Sequence, residues 1–269
     1  FFNGQLFKKD PSEDLEVGDD FLINFIKDLS DENSPYLFNL IPVEILGSVY
    51  ERFLGKVVRP AGRGVTVEEK PEVRKAGGVY YTPRYIVDYI VEQTVGKLLD
   101  EAAAAKNLKA FTSRTEALRF LDPACGSGSF LIRAFERTCE HWEKRLTDDL
   151  PAKDDKAKRT AWEKKHRHLC WVDPESNAVH LTVELKRQIL TQNIYGVDLD
   201  SAAVEVTQLS LYLKMLENEN RTTLRRQREL LSDENEIALL PRLQDNIKCG
   251  NSLIASDFSM IPEDLVRVN

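Results

Sequence analysis

The sequence predicts an α/β fold, a parallel sheet preceded by a mainly helical N-terminal region. Three observations predict it. From about residue 117 onward, short apolar runs alternate with helical patterns, the order that builds a parallel sheet. Before residue 110 the apolar periodicity is mainly helical. Between them, residues 119–131 begin apolar at Phe120 and Leu121, which read as the end of a buried strand, and turn through Asp122, Pro123, Ala124, Cys125, Gly126, Ser127 and Gly128. They then become helical at Ser129. A strand, a glycine turn and a helix N-terminus make a binding site at the carboxyl end of a parallel sheet. The expected organisation is a mainly helical region over 1–110 and a sheet-forming part over 111–269, with a helical insertion at 147–192.

Each element has its own signal. Phe21, Leu22, Phe25, Ile26 and Leu29 predict a short amphipathic helix, broken by residues 31–35. Pro42 opens a second helix, with Ile45, Leu46, Val49, Tyr50, Phe53 and Leu54 on one face. The prolines and glycines of residues 59–78 predict a loop or hinge. Thr82 is a natural N-cap, with Pro83 at the first helical position. Ile86, Val87, Ile90, Val91, Val95, Leu98 and Leu99 form the next apolar face, which Ala102 to Ala105 extend. After the glycine turn, Phe130, Leu131, Ala134, Phe135, Cys139, Trp142 and Leu146 form one stripe. A charged helix follows within 147–169, then an apolar run ending at Asp173 and a helix at about 177–192. Residues 194–198 read as a buried strand ending in Asp198. Ser201 caps a helix that is apolar nearly all round, hence buried. Residues 217–240 read as a loop plus a helix, and 246–253 as a short strand with a polar turn.

Composition sets limits. The 269 residues are 42% apolar and 30% charged, with a net charge of −7. No apolar run reaches the ~18 residues of a membrane span, so a membrane partner is not expected. The first residues carry no initiator Met and no basic n-region, as in a chain begun in mid-protein. The four cysteines, Cys125, Cys139, Cys170 and Cys249, form no CxxC pair, which fits reduced thiols and a cytoplasmic protein and gives no metal site. The acidic balance argues against a complete nucleic-acid clamp. Lys153, Lys156, Lys158, Arg159, Lys164, Lys165 and Arg167 nevertheless make one basic stretch. Arg221, Arg225, Arg226 and Arg228 make another. Both also read simply as solvated helix faces.

The glycine turn discriminates among ligands. A dinucleotide fingerprint needs a third glycine, and Gly126-Ser127-Gly128 is followed by Ser129, Phe130 and Leu131. A phosphate loop needs a lysine that is absent here. Asp122 at the strand end repels phosphate and suits an ammonium group. Asp198 at the end of a later strand can accept from ribose hydroxyls. S-adenosylmethionine has both features. Asp173 competes with Asp198, which lies 70 residues beyond Gly128, where ~20 is usual for a nucleotide-binding acid. The flanks of Asp198 and the buried helix after it favour Asp198, and the insertion explains the spacing. Plain helix capping remains the competing reading for Thr82 and Asp198.

At these residues the chain resembles the N6-adenine DNA methyltransferases of restriction–modification systems. Asp122-Pro123-Ala124-Cys125-Gly126-Ser127-Gly128-Ser129-Phe130-Leu131 is similar to their motif I. Gly78-Val79-Tyr80-Tyr81-Thr82-Pro83-Arg84 resembles motif X, Gly196-Val197-Asp198-Leu199-Asp200 motif II, and Cys249-Gly250-Asn251-Ser252-Leu253 motif III. The order X, I, II, III is that of gamma-type amino methyltransferases. Residues 45–54 resemble the helical segment upstream of it in type IIG fused enzymes. The resemblance implies a Rossmann-like S-adenosylmethionine-dependent methyltransferase sheet, incomplete in this chain.

It also implies roles. Tyr81 and Thr82 would contact the methionine carboxylate side of the cofactor and Asp122 its ammonium. Ala124, Gly126 and Gly128 would give backbone and clearance. Asp198 would bind the ribose hydroxyls, Leu199 would pack on the adenine, and Asn251, where the family more often has Asp, would meet the adenine amino group. The family's catalytic Asn/Asp-Pro-Pro-aromatic tetrapeptide does not occur in the 269 residues. The chain is therefore expected to be a fragment with the cofactor half of the enzyme and no catalytic residue of its own, probing double-stranded DNA mainly through other regions. The resemblance would place the basic stretch from Lys153 to Arg167 on the DNA side of the parent enzyme. A fused or separate nuclease or a specificity subunit is the further expected partner. No cysteine follows a proline, so cytosine-C5 chemistry is not expected, and Cys125 reads as a small packed residue. A non-catalytic modification-subunit scaffold and an NAD-dependent oxidoreductase are the alternatives, the latter disfavoured by the missing glycine.

Overall fold

A computed structural model of the chain describes residues 16–30, 45, 49, 56–61, 64–69, 82–219, 223 and 240–253. The sheet is built from β3 (Phe120–Asp122), β6 (Ile194–Asp198) and β7 (Ile247–Cys249), all parallel, in the order β3-β6-β7. Preceding elements are α1 (Asp19–Ser30), β1 (Lys56–Ala61), β2 (Gly64–Glu69), α2 (Arg84–Val91), α3 (Lys97–Ala103) and α4 (Leu108–Ala117). Between β3 and β6 come α5 (Ser129–Asp149), α6 (Lys156–His166), β4 (Cys170–Val172), β5 (Val179–Leu181) and α7 (Val183–Asn193). Helix α8 (Ser201–Leu216) joins β6 to β7. The mixed helix-and-sheet architecture with a small parallel sheet is compatible with an α/β methyltransferase.

Register and burial show which side of the sheet is filled. Phe120 pairs with Ile194 and Gly196 with Ile247, and all four are buried. The alternating residues Leu121, Tyr195, Val197 and Lys248 are less buried, and Leu121 is 63% exposed. Side chains alternate between faces along a strand, so the core lies on the Phe120 face. Helices α5 and α8 pack there. Gly196 makes this packing possible: a Cβ on it would fall 2.6 Å from Leu131 Cδ1 and 3.1 Å from Cys125 Sγ.

Buried polar side chains fix the strand ends. Asn193 donates to the carbonyls of Thr115 and Leu118, each at 2.8 Å, which ties the end of α4 to the start of β6. Asn246 donates to Thr191 and Ile194 carbonyls at 2.8 and 2.9 Å. From α8, Gln208 donates to the Ile247 carbonyl at 3.1 Å and Tyr212 to the Pro241 carbonyl at 2.7 Å, which docks β7. Thr207, also on α8 and fully buried, donates its hydroxyl to the Gly126 carbonyl at 2.7 Å. Its methyl occupies the space beside Gly128, where a Cβ would come within 2.8 Å. Gly128 has φ +87 and Gly126 φ +53, conformations that glycine adopts at little cost.

Helix α2 continues through a wide π-turn at Glu92–Gly96 into α3. The buried residues Val87, Val91, Val95 and Leu99 are four apart. In an α-helix that spacing slips about 40° per step, and the wide turn takes up part of the slip. Ile90 and Leu98, expected on the same face, are exposed. Ion pairs fasten α2 to α5. Arg137 makes a two-pronged contact with Glu92 at 2.7 and 2.9 Å, and Arg133 pairs with Asp88 at 2.7 Å and Glu140 at 2.7 Å. Arg137 holds the Glu92 carboxyl below the usual carboxylate range. Lys214 of α8 joins the network through Glu136 and Glu217.

Several expectations are corrected. Part of the hinge predicted at 59–78 is the antiparallel hairpin β1–β2, in which Lys56 pairs with Glu69 and Ala61 with Gly64. Val57, Val58, Val65, Thr66 and Val67 supply β-branched residues that outweigh Pro60 and Gly64. The insertion is not wholly helical: Cys170–Val172 and Val179–Leu181 form an antiparallel hairpin outside the parallel sheet. The helix expected from 177 begins at Val183, capped by Thr182, whose hydroxyl accepts from the Leu185 N–H at 3.2 Å. Pro83, with ψ 142, is the N-cap of α2 in place of Thr82, and it has no side-chain cap bond. Asp200, accepting from the Ala202 N–H at 2.9 Å, caps α8 in place of Ser201. In α5, Ile132, Thr138 and His141 join the buried face, whereas Phe130 and Cys139 are only partly buried, because α2 and α7 pack on α5 from either side. Of the helix expected from Pro42, all but Ile45 and Val49 falls outside the described residues, as do 70–78 and most of 220–239.

Two substitutions test this packing. Gly196→Ala is expected to destabilise the fold by about 1–3 kcal/mol through overpacking, read as a lower denaturant midpoint. Thr207→Val keeps the shape but removes the hydroxyl, and is expected to cost about 1–2 kcal/mol by the same measurement.

Candidate functional site

The carboxyl ends of β3 and β6 bring two acids together. Asp122 ends β3 opposite Gly196, and Asp198 ends β6 two residues further along, opposite Cys249. Asp122 Oδ1 accepts from the Ala124 N–H at 3.0 Å. Asp198 Oδ2 accepts from the Gly126 N–H at 2.8 Å and its Oδ1 from the Asp200 N–H at 2.9 Å. The Cys125 N–H donates to the Val197 carbonyl at 2.9 Å, so the glycine turn is laced to β6 on both sides of Cys125. Asp198 is thus neither a helix cap nor a free carboxylate. It joins the turn after β3 to the turn before α8.

The electrostatics follow from this placement. Burial pushes the Asp122 carboxyl above its ordinary range, the Asp198 charge pushes the same way, and the Ala124 N–H partly offsets both. Cys125 lies beneath, buried, and its thiol is pushed up to about 12 by burial and then by the charges of Asp122 and Asp198. Two acids in this arrangement can accept from an ammonium group and from hydroxyls. They disfavour a phosphate. Among the described residues no group of His, Cys, Asp and Glu is suited to a metal ion, and no helix is long and apolar enough to cross a membrane.

The other expected residues surround the acids unevenly. Ala124 is exposed beside Asp122, and Gly126 and Gly128 line the turn itself. Leu199 is 70% exposed directly after Asp198, an apolar surface beside the acid. Asn251 lies in the turn after β7, where its side-chain oxygen accepts from the Leu253 N–H at 2.9 Å. That turn is anchored by the Gly250 N–H on the Asp198 carbonyl at 2.9 Å. Thr82 precedes α2, whose Arg84, Val87 and Asp88 line a small cavity with Ser129, Ile132 and Arg133 on the first turns of α5. Tyr81 lies outside the described residues. Asp173, the alternative to Asp198, lies away from the parallel sheet in the turn between β4 and β5, where its Oδ1 accepts from the Glu175 and Ser176 N–H groups, both at 2.8 Å.

Two participants have no role in the sequence reading. Thr207 holds Gly126 from below, and the Ser252 hydroxyl donates to the Pro123 carbonyl at 2.7 Å. Neither has a local signal: their partners are 81 and 129 residues away. The basic helix α6 docks at the far end of α5, where Trp162 Nε1 donates to Asp149 at 3.0 Å. The 21 residues of α5 span about 30 Å, so proximity to the glycine turn gives no support to a DNA-facing role for α6.

Comparison with known proteins gives the family. Residues 98–267 match the family described as MmeI, DNA-methyltransferase domain. The type II restriction enzyme and methyltransferase RM.Eco57I of Escherichia coli is 30% identical over 262 residues, which cover 95% of this chain and 23% of that protein. The putative type II restriction enzyme and methyltransferase RM.MjaORFECS2P of Methanocaldococcus jannaschii is 28% identical over 295 residues, covering 94% and 21%. The adenine-specific methyltransferase BrxX of Escherichia coli strain HS is 23% identical over 206 residues, covering 66% and 14%. The chain therefore spans less than a quarter of the length of these relatives. With the match extending from α3 through the glycine turn, both acids and β7, the chain belongs to the MmeI DNA-methyltransferase domain family.

Proposed function

We propose that this chain is the S-adenosylmethionine-binding portion of a site-specific adenine-N6 DNA methyltransferase in restriction–modification. The observation that carries the reading is the pair of acids, Asp122 and Asp198, at two strand ends that flank a left-handed glycine turn, in a chain of this family. The donor set fits the cofactor. Asp122 has one oxygen engaged by Ala124 and suits the methionine ammonium. Each oxygen of Asp198 keeps a second acceptor direction for ribose hydroxyls. Ala124, Gly126 and Gly128 allow close approach, and exposed Leu199 offers the adenine an apolar surface. Asn251 would meet the adenine edge after releasing its turn bond, and Tyr81 and Thr82 would close the methionine side. When bound, the cofactor supplies an electrophilic methyl group.

Double-stranded DNA is the proposed substrate of the whole protein. Relatives named as restriction enzyme and methyltransferase together support a nuclease as a fused or separate partner. The relative named adenine-specific supports adenine as the methylated base. No catalytic residue is assigned within these 269 residues.

Calorimetric titration with S-adenosylmethionine tests the site. Asp122→Asn removes a charge-assisted bond and is expected to weaken binding about tenfold or more at neutral pH. Asp198→Ala is expected to weaken it at least as much. An ammonium ligand needs ionised Asp122. Because that carboxyl lies above its ordinary range, affinity should fall with acidification at a higher pH than an ordinary aspartate would cause, and Asp122→Asn should abolish this limb. Equal affinities and one pH profile for all three proteins would reject the assignment.

A further inference from the structure

The turn after β7 does more than end a strand. β3 and β7 are the outer strands of the described sheet, with β6 between them, so their ends stand about 10 Å apart. Yet the loops that follow them meet. Ser252 Oγ lies 2.7 Å from the Pro123 carbonyl oxygen, across the end of β6. Two further contacts hold the same turn to β6: the Gly250 N–H on the Asp198 carbonyl at 2.9 Å, and the Cys249 thiol 3.5 Å from the Leu199 carbonyl. The Asn251 side chain curves the turn by accepting from the Leu253 N–H. Pro123 follows Asp122 and precedes exposed Ala124, so its carbonyl belongs to the glycine-turn side of Asp198. Asn251 and Leu253, the latter 92% exposed, belong to the other side.

We propose that Ser252 is a positioning residue for the cofactor crevice: its hydroxyl, bonded to the Pro123 carbonyl, fixes the separation of the loops on either side of Asp198. The inference rests on the S-adenosylmethionine reading of the same site. Ser252 does not touch the reacting atoms. It sets where Asn251 stands relative to Asp122, so that the two ends of one ligand are met at once. Preorganisation of this kind appears as affinity, because the loops are not ordered at the expense of binding. The requirement is for a hydroxyl, since only a donor reaches the Pro123 carbonyl from this position. Threonine preserves it and alanine does not.

The experiment compares the unaltered protein, Ser252→Ala and Ser252→Thr by calorimetric titration with S-adenosylmethionine, with thermal midpoints read alongside. Ser252→Ala is expected to bind about fivefold more weakly, the range of one neutral hydrogen bond. Ser252→Thr is expected to return to within about twofold, and both midpoints to stay within about 1–2 °C of the unaltered protein, as for a surface change. Equal affinity for the alanine variant overturns the inference. Tighter binding also overturns it, since the bond would then be a latch that the ligand must break. Loss without rescue by threonine, or loss that tracks a fall in midpoint, overturns it in favour of a general structural role. Absence of binding by the unaltered protein overturns the cofactor reading and this inference with it, an outcome distinct from the other three.

Discussion

Two backbone N–H groups, those of Gly126 and Asp200, converge on the carboxylate of Asp198. Much of the candidate site depends on that convergence. A charge-assisted bond is shorter and stronger than a neutral one, so the carboxylate draws the turn after β3 against the end of β6. It does this in a place where a Cβ on Gly128 would collide with Thr207. The turn is thus pulled from above by an acid and stopped from below by a threonine. Its left-handed glycines are the backbone form that satisfies both. A carboxylate with this structural duty keeps a second acceptor direction on each oxygen, so in the proposed reading fold and ligand would draw on the same group without exchanging partners.

The surrounding helices keep that joint at a fixed height. α5 starts at the turn, and its flank carries the arginines that grip α2, while Lys214 ties α8 to the same helix through Glu136. Isolated surface pairs contribute little, but these share partners, so one side chain's ordering serves several contacts. They place the start of α2, and with it Thr82, along the first turns of α5. The side chains packed between the helices remain the main source of cohesion.

What was legible in the sequence was whatever a short window encodes. Phe120 before a proline, glycines in the turn, and an apolar run closing on Asp198 each announce themselves within a few residues, and the structure puts them where the pattern says. Leu121, expected in a buried strand, is 63% exposed because it alternates onto the face away from the core. Around Pro60 the turn-forming residues mask the β-branched residues beside them, and a strand pair is recognisable only when both partners are seen. Thr82 and Ser201 were each one residue away from the true cap, because backbone angles, not side-chain type, decide which residue is half in the helix. Thr207 and Ser252 were invisible for a different reason. Each is defined by a carbonyl far away in sequence, and a lone hydroxyl on a helix or turn has no pattern of its own.

Cys125 carries a consequence for chemical durability. In the proposed reading, a sulfur atom sits within the turn that would hold a methyl donor. A thiolate there would be a competing nucleophile. Burial and the two neighbouring carboxylates push the thiol up to about 12, so at neutral pH it stays protonated and unreactive. In that reading the acids that would recruit a cationic ligand also add to burial in keeping the sulfur unreactive toward it.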